Sequence, residues 1–131
     1  MEVYIGFDIS LQSTHVCVVD NEGTIVQEGI APSDLDALDS WLRRHGQDWT
    51  IKRIVFETGQ LSTHFYHGLI EAWPVTRIDA RHANGTLKAQ RVKTDKNDAR
   101  GLAQIARTGW YKAVHVKSDE CQGLRTLVAA K

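Results

Sequence analysis

Hydrophobic and polar residues alternate from Val3 to Ile9, a β-branched stretch that predicts a strand. His15 to Val19 predicts a second strand. Asn21-Glu22-Gly23 then turns the chain into a third at Thr24 to Ile30, completing an antiparallel meander. The period then changes. Leu35, Leu38, Trp41 and Leu42 recur at helical spacing, so one apolar stripe is expected on a helix. Ser33 is its predicted N-cap, with Asp36 three positions later in a capping-box-like pair where Asp replaces the usual Glu or Gln. Arg43 and Arg44 suit the negative end of the helix dipole, and Gly46 is the stop.

Ile51 to Phe56 follows that helix and is predicted to pair parallel with the first strand, ending at Glu57-Thr58-Gly59. A second helix is expected from Ser62 to Trp73, where Pro74 ends it, with a short strand at Val75 to Ile78. Residues 80–93 show weak periodicity and an Asn84-Gly85 break, which reads as a loop or a partly helical segment. Helical spacing returns from Thr94 to Thr108, with Leu102, Ile105 and Ala106 inward and Gly109 as the stop. A last amphipathic run from Ser118 through Leu127 is still helical in pattern at Lys131, as expected of a fragment of a longer protein. The order βββαβαβ followed by a helix is that of an α/β domain.

At 131 residues and 42% hydrophobic content, the chain suits one domain with a real core. No apolar run approaches the roughly 18 to 20 residues that span a bilayer, and there is no secretory leader pattern, so a cytoplasmic protein with no membrane partner is expected. Cys17 and Cys121 are too far apart in sequence for a zinc-type or disulfide pattern and read as reduced thiols. The net charge of zero hides an asymmetry. Residues 1–50 hold nine acids against two bases, while residues 77–117 hold ten bases against three acids. A basic half of this kind points to a polyanionic partner.

Three short segments then carry the chemistry: Gly6-Phe7-Asp8-Ile9-Ser10, Phe56-Glu57-Thr58-Gly59 and Lys93-Thr94-Asp95-Lys96-Asn97-Asp98-Ala99. Each sets a carboxylate where a strand ends or a helix begins, the place where open α/β sheets build their sites. Asp95 and Asp98 are three apart, so a helix puts them on one face, which continues to Leu102 and Ile105. Singly, each acid has an ordinary explanation as a turn former, a cap or a dipole partner. Gathered at one end of a sheet, four of them would repel unless a cation lay between them. Two divalent ions held by such oxygen ligands, roughly 3.5 to 4 Å apart, are a known solution to phosphodiester cleavage.

These three segments, together with Ala80-Arg81-His82 and above all Lys-Thr-Asp-Lys-Asn-Asp-Ala, resemble the N-terminal domain of the Piv-type DEDD insertion-sequence transposases, the bridge-RNA-guided DNA recombinases. The likeness runs in order from about residue 4 to 117. It implies an RNase H-like (RuvC-like) fold, a mixed five-stranded sheet with flanking helices, spanning residues 1–117. It implies a catalytic, metal-binding tetrad of Asp8, Glu57, Asp95 and Asp98 that holds Mg²⁺, with Mn²⁺ as a substitute. DNA and a structured guide RNA are the implied partners, with homo-oligomers of the full-length protein. The likeness further implies that residues 118–131 begin a helical linker to a C-terminal domain bearing a serine nucleophile, so that this chain by itself would not recombine DNA.

Near the acids, Arg81, Lys88, Arg91, Lys93, Lys96 and Arg100 are candidates for binding phosphates, against the plainer reading of a solvated basic face. His64 and His67 lack a cysteine or spaced acidic partner and are expected to be exposed polar residues. Ser10, Ser13 and Thr14 have no visible activating base and suit a turn. Trp41, Trp73 and Trp110 lie in apolar contexts and suit a core. Three other functions compete: a non-catalytic nucleic-acid-binding module, a stand-alone Holliday-junction-type nuclease with the same four acids, and half of an actin-like or sugar-kinase-like ATPase. The last leaves the Lys-Thr-Asp-x-x-Asp-Ala segment unexplained.

Overall fold

The computed structural model describes residues 1–57, 59, 61–78 and 95–109, for the last segment with side chains from residue 98 onward. Strands β1 (Glu2–Ile9), β2 (Ser13–Asp20) and β3 (Ile25–Pro32) form the expected antiparallel meander. Helix α1 (Leu35–His45) leads into β4 (Thr50–Glu57), which pairs parallel with β1. Helix α2 (Ser62–Leu69) leads into β5 (Val75–Ile78), parallel to β4, and α3 spans Asp95–Thr108. The sheet order is β3-β2-β1-β4-β5, so β1 is central and mixed in its pairing. The readings of residues 80–93, of Trp110 and of the run after Ser118 fall outside the described residues.

Strand alternation sorts the side chains onto two faces. Val3, Ile5 and Phe7 of β1, Val16 and Val18 of β2, and Ile54 and Phe56 of β4 point to one face. There they pack with Leu38, Trp41 and Leu42 of α1 and Phe65 and Leu69 of α2. On the other face, among the described residues, lies α3. Its Leu102, Ile105 and Ala106 pack on Val55 and Ile78, and its Ala99 and Ala103 on Cys17 and Val19. The three residues expected inward on this helix are buried, and Ala99 and Ala103 join them.

Two boundaries differ from expectation for identifiable reasons. The N-cap of α1 is Asp34, whose carboxylate accepts from Ala37 N–H at 3.0 Å. Ser33 is instead spent on tertiary contacts, donating to the Ser10 carbonyl at 2.5 Å and bonding Thr14 Oγ1 at 2.9 Å. Helix α2 ends at Leu69 and not at Trp73. A residue before proline is forced out of helical backbone. Here the Leu69 carbonyl takes both Ala72 and Trp73 N–H groups in a closing turn, while the Trp73 indole reaches across to Asp39 of α1 at 2.9 Å. At the end of α3, Gly109 adopts φ 72°, the left-handed stop its identity predicts.

Candidate active site

The geometry of the site starts from Gly6. A Cβ at this position would lie 2.4 Å from both Ala103 N and Ala99 O, so the helix backbone passes directly over β1 where glycine leaves room. The direction of α3 follows from its contacts. Its C-terminal half meets the start of the sheet: Gln104 Nε2 donates to the Gly23 carbonyl at 2.9 Å, and Arg53 donates to the Ala106 carbonyl at 2.5 Å. Further along, Ala99 lies over Gly6 and Arg100 reaches Glu28, whose ladder partner Cys17 is itself opposite Gly6. Helix α3 therefore runs antiparallel to β1, and its N-terminal turn, with Asp95 and Asp98, lies at the end of the sheet where β1 and β4 finish.

That end carries the other two acids. Phe7 pairs with Phe56, so Asp8 and Glu57 are the next residues of two adjacent parallel strands. Both fall on the α3 face by alternation from Gly6 and Val55. They line one pocket of about 210 Å³, closed by Ile9, Ser10, Leu11, Gly59, Leu61 and Ser62. Asp98 lies one turn before Leu102 and two before Ile105, the residues packed on Val55, so it falls on the flank of α3 that leads toward Glu57. Asp8, Glu57 and Asp98 are each half-buried, and one carboxylate oxygen of each is withdrawn from solvent.

The surrounding turns are held firmly. Ser62, buried at the head of α2, both accepts from Gly59 N–H and donates to the Gly59 carbonyl at 3.0 Å, which fixes the chain just past Glu57. On the other side, Ser10 N–H bonds the Ser13 carbonyl and Ser33 holds Ser10, so the serines after Asp8 shape a turn as expected. His15 is the antiparallel partner of Asp8 and stands on the same face, a neighbour that sequence reading passed over because strand pairing alone reveals it.

Of the expected nucleic-acid-binding residues, Arg81, Lys88, Arg91 and Lys93 and the side chain of Lys96 lie outside the described residues, as does the side chain of Asp95. Arg100 is described, and it forks onto Glu28 with bonds of 2.6 and 3.0 Å. That hydrogen-bonded carboxylate raises the guanidinium further above its ordinary value. The Cys17 thiol nearby is pushed up to about 12, first by burial and then by the charge of Glu28, with Arg100 working the other way. Arg77, counted among the bases, is turned inward to Ser62 and Thr63 at 3.2 and 2.5 Å. His64 and His67 are exposed on α2, as expected.

The donors present fit a hard divalent cation in kind, since they are carboxylate oxygens shielded from bulk water. Among the described residues, no three His, Cys, Asp or Glu side chains already form a metal-ligand group, so the described acids are not a preassembled cage. The arrangement is a two-carboxylate pocket, with Asp98 on the flank of α3 that leads toward Glu57. Among the described residues no helix is long and apolar enough to cross a membrane.

No curated protein sequence matches the chain. The structure of RuvC from Thermus thermophilus superposes with a TM-score of 0.56 at 12% identity, covering 86% of this chain and 99% of that one. At that identity the likeness is one of fold, and it establishes the RuvC-like, RNase H-like architecture of the mixed five-stranded sheet with flanking helices. The family model of the DEDD transposases of the IS110 type, described as transposase, matches residues 5–131. With the RuvC-like fold in place and nearly the whole sequence matched, the chain belongs to the DEDD transposase family of the IS110 type.

Proposed function

We propose that the domain supplies the Mg²⁺-dependent DNA strand cleavage and exchange activity of a guide-RNA-directed transposase, with Asp8, Glu57, Asp95 and Asp98 as its metal ligands. The observation that carries the reading is the shared pocket of Asp8 and Glu57 at the ends of two adjacent strands. When bound, the cations supply Lewis-acid polarisation of the phosphate under attack. Asp8 and Glu57 are anchored by the sheet and define the floor. The first turn of α3 brings the remaining carboxylates from above. Arg81, Lys88, Arg91, Lys93 and Lys96 orient the phosphate backbone through charge, while sequence is read by base pairing with the guide, a division of labour that spares the protein a side-chain code. Residues 118–131 begin the linker to a serine-bearing domain that completes the recombinase, which acts as an oligomer.

Titration calorimetry of Mg²⁺ or Mn²⁺ into wild type, Asp8→Asn and Asp98→Asn, with and without structured RNA, tests the reading. Binding lost in both variants supports it. Absence of metal binding by wild type, alongside salt-dependent RNA binding, would make the domain a nucleic-acid scaffold. Cleavage of branched DNA by this chain alone would make it a stand-alone nuclease.

A further inference from the structure

We propose that the Glu28–Arg100 ion pair is a positioning clamp, holding one flank of α3 against β3 and thereby setting where Asp98, on the opposite flank, lies relative to Asp8 and Glu57. The inference rests on the metal-site reading above and assigns Arg100 a part in building the site, where charge alone had suggested a contact with phosphate.

The argument begins with the seam between helix and sheet. Where α3 crosses β1 and β2, Ala99 and Ala103 meet Gly6, Cys17 and Val19, with Tyr4 packed beside them. The helix's own side of this seam is two alanines, which allow close approach but offer few atoms to interlock and so fix the roll of the helix only weakly. Roll is set on the flanks. One flank carries Leu102 and Ile105 on Val55 and Ile78. The other carries Arg100, whose Nε and Nη2 donate to the two carboxylate oxygens of Glu28 at 2.6 and 3.0 Å. Two parallel bonds to a planar fork fix orientation as well as distance. Asp98 and Arg100 are two positions apart, roughly 200° around a helix. A rotation that carries Arg100 away from β3 therefore swings Asp98 relative to the sheet.

Position along the helix matters too. The side-chain tethers Gln104 to Gly23 and Arg53 to Ala106 act on the far half of α3. Glu28–Arg100 acts nearer the N-terminal end of the helix, and so nearer the acids, than those two tethers. It is also half-exposed, at 40% for Arg100 and 25% for Glu28. A pair this exposed contributes little to global stability. Its loss should leave the fold standing while the site loosens.

The experiment uses the 131-residue chain as wild type, Arg100→Gln, Glu28→Gln, both together, and the exchange Glu28→Arg with Arg100→Glu. Mn²⁺ affinity is read by calorimetry, the melting temperature in chelator, and DNA affinity over a salt series. Each single substitution should weaken Mn²⁺ binding by about tenfold, the size typical of a residue supporting a metal ligand. The double substitution should be no worse than either single one, and the exchange should restore part of the loss. Arg43→Gln, which breaks the exposed Asp39 pair on α1, should leave Mn²⁺ affinity unchanged. The clamp is overturned if wild type binds Mn²⁺ and both single variants bind it equally well. It is likewise overturned if Glu28→Gln tightens DNA binding while Arg100→Gln weakens it and lowers the salt slope, the signature of a phosphate ligand. If wild type binds no Mn²⁺, the metal-site reading falls and the clamp falls with it, a result distinct from the first two.

Discussion

Gly6 is the residue on which the α3 face depends, because its missing side chain is the space the helix backbone occupies. Gly6→Ala drives a methyl group into backbone that cannot rotate away, and a cost of about 3 kcal/mol is expected in denaturant unfolding, with metal affinity falling in the same protein because α3 lifts. Cys17, the ladder partner of the Glu28 that Arg100 grips, makes a different prediction. Its thiol ionises near 9.0 in the open chain but at about 12 in the fold. Above pH 9 the unfolded chain therefore releases a proton that the native state retains, and stability falls as pH rises from there toward 12, by up to ~1.4 kcal/mol per pH unit. Below pH 9 the group has no effect. Comparing urea midpoints of wild type and Cys17→Ala over pH 8 to 11 should show the slope of the variant shallower by this one proton, and the native thiol should resist alkylation at pH 8. Neither behaviour was visible in the sequence beyond a cysteine in an apolar strand, since the close approach at Gly6 comes from α3, far downstream, and the charges beside Cys17 come from Glu28 of the neighbouring strand and Arg100 of α3.

At the scale of elements, neighbouring residues that look alike do different work. Ser33 and Asp34 are both good helix caps, and only tertiary structure decides between them. Asp34→Ala should cost about 1 kcal/mol by removing the bond to Ala37 N–H. Ser33→Ala should leave α1 capped and act instead on the turn after Asp8, seen as faster amide exchange at Ser10 to Ser13 with unchanged exchange at Ala37. The strands and helices themselves were legible because their signals are local: alternation in β1 to β3, the stripe of α1, the apolar row of α3. What could not be read was long-range. The Arg100 guanidinium finds Glu28 across 72 positions, and Trp73 is drawn to Asp39 across 34, which is part of why α2 is shorter than its pattern suggests. Charge runs gave Arg100 and Arg77 to solvent and phosphate, whereas the fold gives each a protein partner.

At the scale of the molecule, the order of strands decides the chemistry, since β4 enters beside β1 and brings Glu57 next to Asp8. Both acids were legible as strand-end carboxylates, and the face shared by Asp98, Leu102 and Ile105 was legible as helical spacing. The shielding of one oxygen from each acid was not, because it is a product of tertiary packing. On the proposed reading, carboxylates crowded without a cation oppose folding. Asp8→Asn is therefore expected to melt higher than wild type in chelator, yet to gain nothing from added Mg²⁺. Wild type should gain ~2.7 kcal/mol at one hundred times the dissociation constant. Calorimetric melting with and without the ion checks both arms. The same topology also orders events in time. Asp8 lies in a meander of neighbouring strands, while Asp98 is ninety positions later. A ribosome adding about 5–20 residues per second delivers the meander several seconds before α3. On the proposed reading, the growing protein carries its strand acids throughout that interval without their counterparts, so a polypeptide released early, short of α3, would be unable to nick the genome that encodes it.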